Sequence, residues 1–264
     1  MYFSPKFAVS VFLSLAIGLS TLPTSSFAQK PPPPPKHEDG KPPPRPGDDR
    51  PPKRGGKEVN ESKIDSGGSR QVLGEVWVDN WFKLYINGKP LLEDSVSIRT
   101  ERSFNAERFE FGSDFPMTIA FEFRDFMENE TGLEYIGSRR QQLGDGGAIA
   151  QFKDVASGKL IGATGGDWRC LTVQAAPADA SCARERNPDV SQAVCAQTRV
   201  EVPGNWTDPG FDDSNWPKAS VYSARDVGPK DGYNQIQWDS SAKLIWGKDL
   251  KKDNIVYCRA SFGG

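Results

Sequence analysis

Histidine is nearly missing from this chain. The only one in 264 residues, His37, stands inside a proline-rich stretch. A domain folded from the rest has no imidazole, which excludes Ser-His and Cys-His nucleophilic catalysis and histidine-ligated zinc or haem within it. Cysteine is sparse as well, four in all, and none sits in a C-x-x-C pair of the kind a zinc site needs. Beyond the first thirty or so residues, no run is apolar enough to span a bilayer. No window carries a helical apolar stripe longer than a turn or two. The formal net charge is only −2, and residues 71–264 carry 22 basic against 28 acidic side chains, so no nucleic-acid partner is expected.

What is there divides into three parts. Residues 1–28 read as a secretory signal: Lys6, an apolar run over Phe7–Leu19, then Ser26-Phe27-Ala28 with small residues where a signal peptidase cuts. The run is shorter than the ~20 residues of a spanning helix, so cleavage after Ala28 is expected, with no integral membrane segment left afterwards. Residues 29–70 read as a disordered, Pro-rich linker. Eleven of the 21 prolines lie between Lys30 and Pro52, and a Gly/Ser stretch closes it at Ser66-Gly67-Gly68-Ser69. So few apolar side chains cannot offset the cost of ordering the backbone, and proline runs favour polyproline II, a semi-rigid spacer. The expectation is a secreted, periplasmic or extracellular protein.

Residues 71–264 carry the folded content, and their apolar pattern has mostly period two. Val72–Val78 and Trp81–Ile86 read as strands, and Asn87-Gly88 is a type I′ hairpin signal returning through Lys89–Leu92. Further strands are predicted at Val96–Thr100, Arg108–Phe111, Met117–Phe123, Leu133–Ile136, Ala148–Phe152, Lys159–Ala163, Arg169–Gln174, Lys243–Trp246 and Ile255–Phe262. Many short strands punctuated by Gly, Asp and Asn point to an all-β fold, a sandwich or barrel. Gly144-Asp145-Gly146-Gly147 lacks the spacing of a phosphate-binding loop and reads as a turn.

Cys170, Cys182, Cys195 and Cys258 in an exported chain imply two disulfides. Three connectivities exist. Segment type favours Cys170–Cys258, because both sit in strand-like runs, with Cys182–Cys195 closing one polar loop.

Three stretches carry a resemblance. They are Asp79-Asn80-Trp81-Phe82-Lys83-Leu84-Tyr85-Ile86-Asn87-Gly88-Lys89; Gly210-Phe211-Asp212-Asp213-Ser214-Asn215-Trp216-Pro217-Lys218-Ala219; and Ala242-Lys243-Leu244-Ile245-Trp246 with Val256-Tyr257-Cys258-Arg259-Ala260-Ser261-Phe262. Together and in this order they resemble the galactose-binding-like jelly-roll β-sandwiches, the non-catalytic carbohydrate-binding accessory domains of β-galactosidase-type and α-rhamnosidase-type glycosidases. The resemblance implies a single jelly-roll sandwich over roughly Val72 to Phe262, glycan or polysaccharide binding without catalysis, and a structural Ca2+. No spaced-Asp calcium loop is present, so the sequence assigns that ion no ligands.

Sugar recognition needs flat aromatic faces together with amides, carboxylates or guanidinium groups. All seven Trp lie in the folded part. Large aromatics are mostly core material, so the candidates are those beside turn-like residues: Asp79, Asn80 and Trp81; Trp206; and Tyr233, Asn234 and Trp238. Two other readings remain open. One is a structural or protein-interaction sandwich presenting an apolar patch or sheet edge. The other is a glycoside hydrolase using an acidic pair such as Glu122 with Asp125, which requires both carboxylates in one cleft.

Overall fold

Why the central strands here are buried on both faces, instead of alternating, is answered by what lies outside the two main sheets. In a computed structural model, residues 59–100 and 102–263 are described. The signal segment and the proline runs fall outside them. Fifteen strands follow in chain order: β1 Val59–Ile64, β2 Arg70–Asp79, β3 Trp81–Ile86, β4 Lys89–Glu93, β5 Ala106–Ser113, β6 Met117–Arg124, β7 Leu133–Glu134, β8 Gln142–Leu143, β9 Gly147–Asp154, β10 Leu160–Ala163, β11 Arg169–Ala175, β12 Thr198–Arg199, β13 Ser220–Tyr222, β14 Leu244–Trp246 and β15 Asp253–Phe262. One sheet runs β1-β5-β2-β9-β14-β13, with β10 beside β9; the other runs β12-β11-β15-β6-β3-β4. The all-β expectation holds.

The two sheets face each other across one apolar layer. Val72, Val76, Phe109, Phe111, Ala150, Phe152 and Ile245 come from the first sheet, and Phe82, Leu84, Ile119, Phe121, Phe123, Val256 and Cys258 from the second. Each outer face is then covered by a long connection. The chain between β12 and β13 lays Trp206, Phe211 and Trp216 over Ala120, Tyr85 and Tyr257. The chain between β13 and β14 lays Val227, Ile236 and Ala242 over Trp77, Ile149 and Leu244. Burial on both faces of β6 and β9 follows from these covers.

The hairpin at Asn87-Gly88 forms as its sequence dictates, with φ of 50° and 82° at the two turn residues and Ile86 opposite Lys89. Two expectations are corrected. The linker does not run to Arg70, because Val59–Ile64 lies parallel to β5, in register from Val59–Ala106 to Ile64–Phe111. Its hold is largely polar: Asn60 Nδ2 donates to Glu107 Oε2 at 2.7 Å, and Lys63 pairs with Glu110 at 3.3 Å. An edge strand fastened this way needs few apolar residues. Val96–Thr100 is not a strand. Asp94 Oδ1 accepts from the Val96 amide, while Ser103 Oγ accepts from the Arg99 and Thr100 amides and donates to the Ser97 carbonyl, so side-chain turn bonds take the backbone groups that a ladder would use.

Both disulfides form. Cys170 and Cys258 stand opposite each other across β11 and β15, and Cys182–Cys195 closes a loop packed on Leu133 and Leu143.

Candidate functional site

Three strand ends meet at one end of the sandwich. Asp79 is the last residue of β2, and Asn80 alone carries the chain from the first sheet to β3 of the second. The Asp79–Asn80 peptide is cis. Asn80 is fixed at the crossover: its amide donates to the Arg124 carbonyl and its Oδ1 accepts from the Phe126 amide at 2.6 Å. Asp125 follows directly on β6, its amide bonded to the Asn254 carbonyl. Asp145 lies in the Gly144–Gly147 stretch leading into β9.

These placements bring carboxylate oxygens of Asp79, Asp125 and Asp145 to within 4.8 Å of one another. Asp79 and Asp125 are buried, and none of their four oxygens has a hydrogen-bond partner. Glu134, also buried, adjoins them and accepts from Gln142 Nε2 at 2.9 Å. Asp145 is half-buried and meets the exposed Lys230, Nζ to Oδ2 3.6 Å. Burial pushes the Asp79 carboxyl well above the usual range, with Asp145 adding to the rise and Lys230 opposing it. Asp125 is raised in the same direction, first by burial and then by the charges of Asp79, Glu134 and Asp145, with the adjacent Phe126 amide opposing.

The Gly-rich stretch read as a turn has a packing role. A Cβ on Gly144 would stand 1.9 Å from Asp125 Oδ2, and one on Gly146 would meet the Trp246 indole at 2.5 Å. Only glycine lets this backbone lie against the acids.

Beside the cluster runs the strap from Gly228 to Asp239, outside the first sheet. Trp77 Nε1 donates to the Asp231 carbonyl at 3.1 Å. The buried Gln151 of β9 holds it twice, donating to the Gln237 carbonyl at 3.1 Å and accepting from the Asp239 amide at 2.7 Å. Trp238 Nε1 donates to the Tyr233 carbonyl, and the two rings lie 5.8 Å apart, tilted by 33°. Tyr233 packs edge-on against Trp77 at 5.7 Å. Both rings are half-buried, while Asn234 and Gln235 between them are exposed.

The seven sequence candidates therefore separate. Tyr233, Asn234 and Trp238 stand together on the strap. Asp79 and Asn80 lie inside the crossover. Trp81 is buried, with the Arg124 guanidinium over its ring at 5.4 Å. Trp206 is stacked on Tyr257 at 4.3 Å and on Trp216 on the far side of the second sheet, 7 % exposed. As ligand platforms Trp81 and Trp206 are corrected, because neighbouring side chains cover their rings. The acidic pair also separates: Glu122 accepts from Arg124 Nε at 2.6 Å, whereas Asp125 belongs to the three-Asp cluster. Asp145 was outside the sequence candidates, and the lone signal for it is the crowding of glycines around it.

A cleft of about 310 Å³ opens at the Arg70 end of β2, away from Asp79, between Ser66–Gly68, the Asn87–Leu91 hairpin and Asp114. None of the candidate residues lines it. No protein-family model matches the chain, and no curated protein or solved structure matches it with significance. The fold and site define an all-β protein of two main sheets and a small β7-β8 sheet, with a buried acidic cluster at one end and an aromatic strap beside it.

Proposed function

We propose that this chain is an exported, non-catalytic carbohydrate-binding sandwich of the galactose-binding-like kind, engaging glycan through the Tyr233–Trp238 strap. The observation that carries this reading is the tilted Tyr233–Trp238 pair, partly open to solvent and flanked by the exposed amides of Asn234 and Gln235. Aromatic faces meet the apolar side of a pyranose and amides meet its hydroxyls. The strap is anchored through Trp77 and Gln151, so little ordering entropy is lost on binding. Two disulfides fit an oxidising compartment.

A protein-interaction role would favour a contiguous apolar patch. Among the described residues the exposed large apolar side chains are Val155, Leu160, Val200 and Val221, none of them on the strap.

A glycan array followed by affinity electrophoresis in the retaining polysaccharide tests the proposal. The full chain is expected to be retained by at least one polymer, and Trp238→Ala to weaken retention about tenfold or more, in line with the loss of a stacked aromatic at a binding centre. Retention by no polymer, or retention untouched by Trp238→Ala, overturns it.

A further inference from the structure

We propose that Asp79, Asp125 and Asp145 form a calcium site at the crossover end of the sandwich. Two independent observations meet there. The first is geometric: oxygens from three carboxylates, brought from residues far apart in sequence, fall within 4.8 Å of one another. That is the spacing of ligands around one ion, since calcium–oxygen distances are ~2.3–2.6 Å. The second is the state of two of the three acids. Asp79 and Asp125 are fully buried, and all four of their oxygens lack a hydrogen-bond partner. A buried polar atom without a partner costs free energy, and a buried charge costs far more. A cation between the carboxylates supplies the missing partner to both.

The donor set decides the kind of ion. Every candidate ligand is a carboxylate oxygen, with no His or Cys among them, which selects a hard cation over zinc or copper. Calcium tolerates irregular geometry and takes both oxygens of a carboxylate. Magnesium demands a near-ideal octahedron and keeps several of its waters. Two of the three acids have no access to solvent, and this favours calcium.

The surroundings fit. Glu134 lies next to the cluster and adds negative charge. Lys230 is the cation already at the rim, 3.6 Å from Asp145, yet its side chain is half-exposed and can swing away when a doubly charged ion arrives. Gly144 presses its backbone against Asp125 without room for a Cβ, so the Asp125 carboxylate is held at a fixed depth. The site stands apart from the glycan reading, since the ion's binding is measured directly.

The test is isothermal titration calorimetry of the full chain, stripped with a chelator, against CaCl2 and separately against MgCl2, with thermal unfolding followed in parallel. One equivalent of calcium is expected to bind and raise the unfolding midpoint, with magnesium binding more weakly. Asp125→Asn is expected to weaken calcium by at least about tenfold, the lower end of what even an outer-shell loss costs. Asp145→Asn, at the half-buried rim, should do the same and guards against misfolding of the buried variant. Asp167→Asn, a fully exposed acid elsewhere, should bind as the parent does. No calcium heat and no midpoint shift, calcium binding unaffected by both cluster variants, or magnesium binding as tightly as calcium overturns the proposal.

Discussion

Replacing Cys170 and Cys258 with alanine is expected to lower the free energy of unfolding by about 4–5 kcal/mol, more than the about 3 kcal/mol expected for the Cys182/Cys195 pair. The difference comes from the unfolded chain. The first bridge joins residues 88 apart and the second residues 13 apart, and the entropy removed from the unfolded state grows with the loop closed. Native packing adds to the ranking, because Cys258 sits in the layer between the sheets while Cys182 and Cys195 belong to a satellite cluster. Urea unfolding of the two double variants measures both values. A larger loss for C182A/C195A would show that the satellite loop, and not the β11–β15 pairing, limits stability.

Arg259→Met is expected to cost about 3–5 kcal/mol, the range for removing one member of a buried charged network. Arg259 is 2 % exposed, and its guanidinium donates to the Asp208 and Phe211 carbonyls at 2.9 and 3.1 Å. It also pairs with Asp213 at 3.3 Å and lies under the Phe211 ring. Burial lowers its pKa, while Asp213 and Asp208 act to restore it. Methionine fills the channel but leaves both carbonyls unpaired beneath the cover. The change should therefore loosen the Asp208–Trp216 cover specifically, seen as a red shift in the fluorescence of Trp206 and Trp216. Asp213→Asn, at a partly exposed partner, should cost no more than about 1 kcal/mol.

Arg259 also explains one of the sequence stretches. The Phe-Asp-Asp-Ser-Asn-Trp segment is a plug over the second sheet: Asp212 Oδ1 accepts from the Ser214 amide, Trp216 packs on Trp206, and the closing strand reaches it through Arg259. Strands with strong period-two character, among them β3, β6 and β15, were legible in the sequence, as was the Asn87-Gly88 turn. Edge strand β1 was not, because Asn60, Glu61, Ser62 and Lys63 pair with strand residues 47 positions further along the chain and show no local pattern. Val96–Thr100 alternated convincingly, yet Asp94 and Ser103 drew its backbone into turns.

The candidate site was legible only in part. Tyr233, Asn234 and Trp238 are close in sequence and remain together in the fold. Trp206 stands in an equally turn-like neighbourhood, but the chain between β12 and β13 folds that neighbourhood down onto a sheet. The acid cluster joins positions 79, 125 and 145, which only the sandwich topology brings together. With 35 acidic residues in the chain, composition could not single out these three.

The unfolding free energy of the full chain between pH 4 and 8, in chelator, tests most directly whether Asp79 and Asp125 lie buried without partners. A carboxyl whose folded pKa is raised binds more protons folded than unfolded, so stability is greatest near the unfolded value of about 4 and falls as pH rises toward the folded one. The fall reaches up to about 1.4 kcal/mol per pH unit for each such group. Asp94, buried near Glu107 and Glu93 and pushed up to about 8 mainly by that burial, adds a component that Asp94→Asn removes. Asp145 and Glu134 deepen the fall from the cluster, and Lys230 moderates it. Stability should therefore decline from pH 4 toward neutrality, and Asp79→Asn or Asp125→Asn should flatten that decline. Stability that instead rises steadily across this interval, identically in the parent and both variants, would contradict the account.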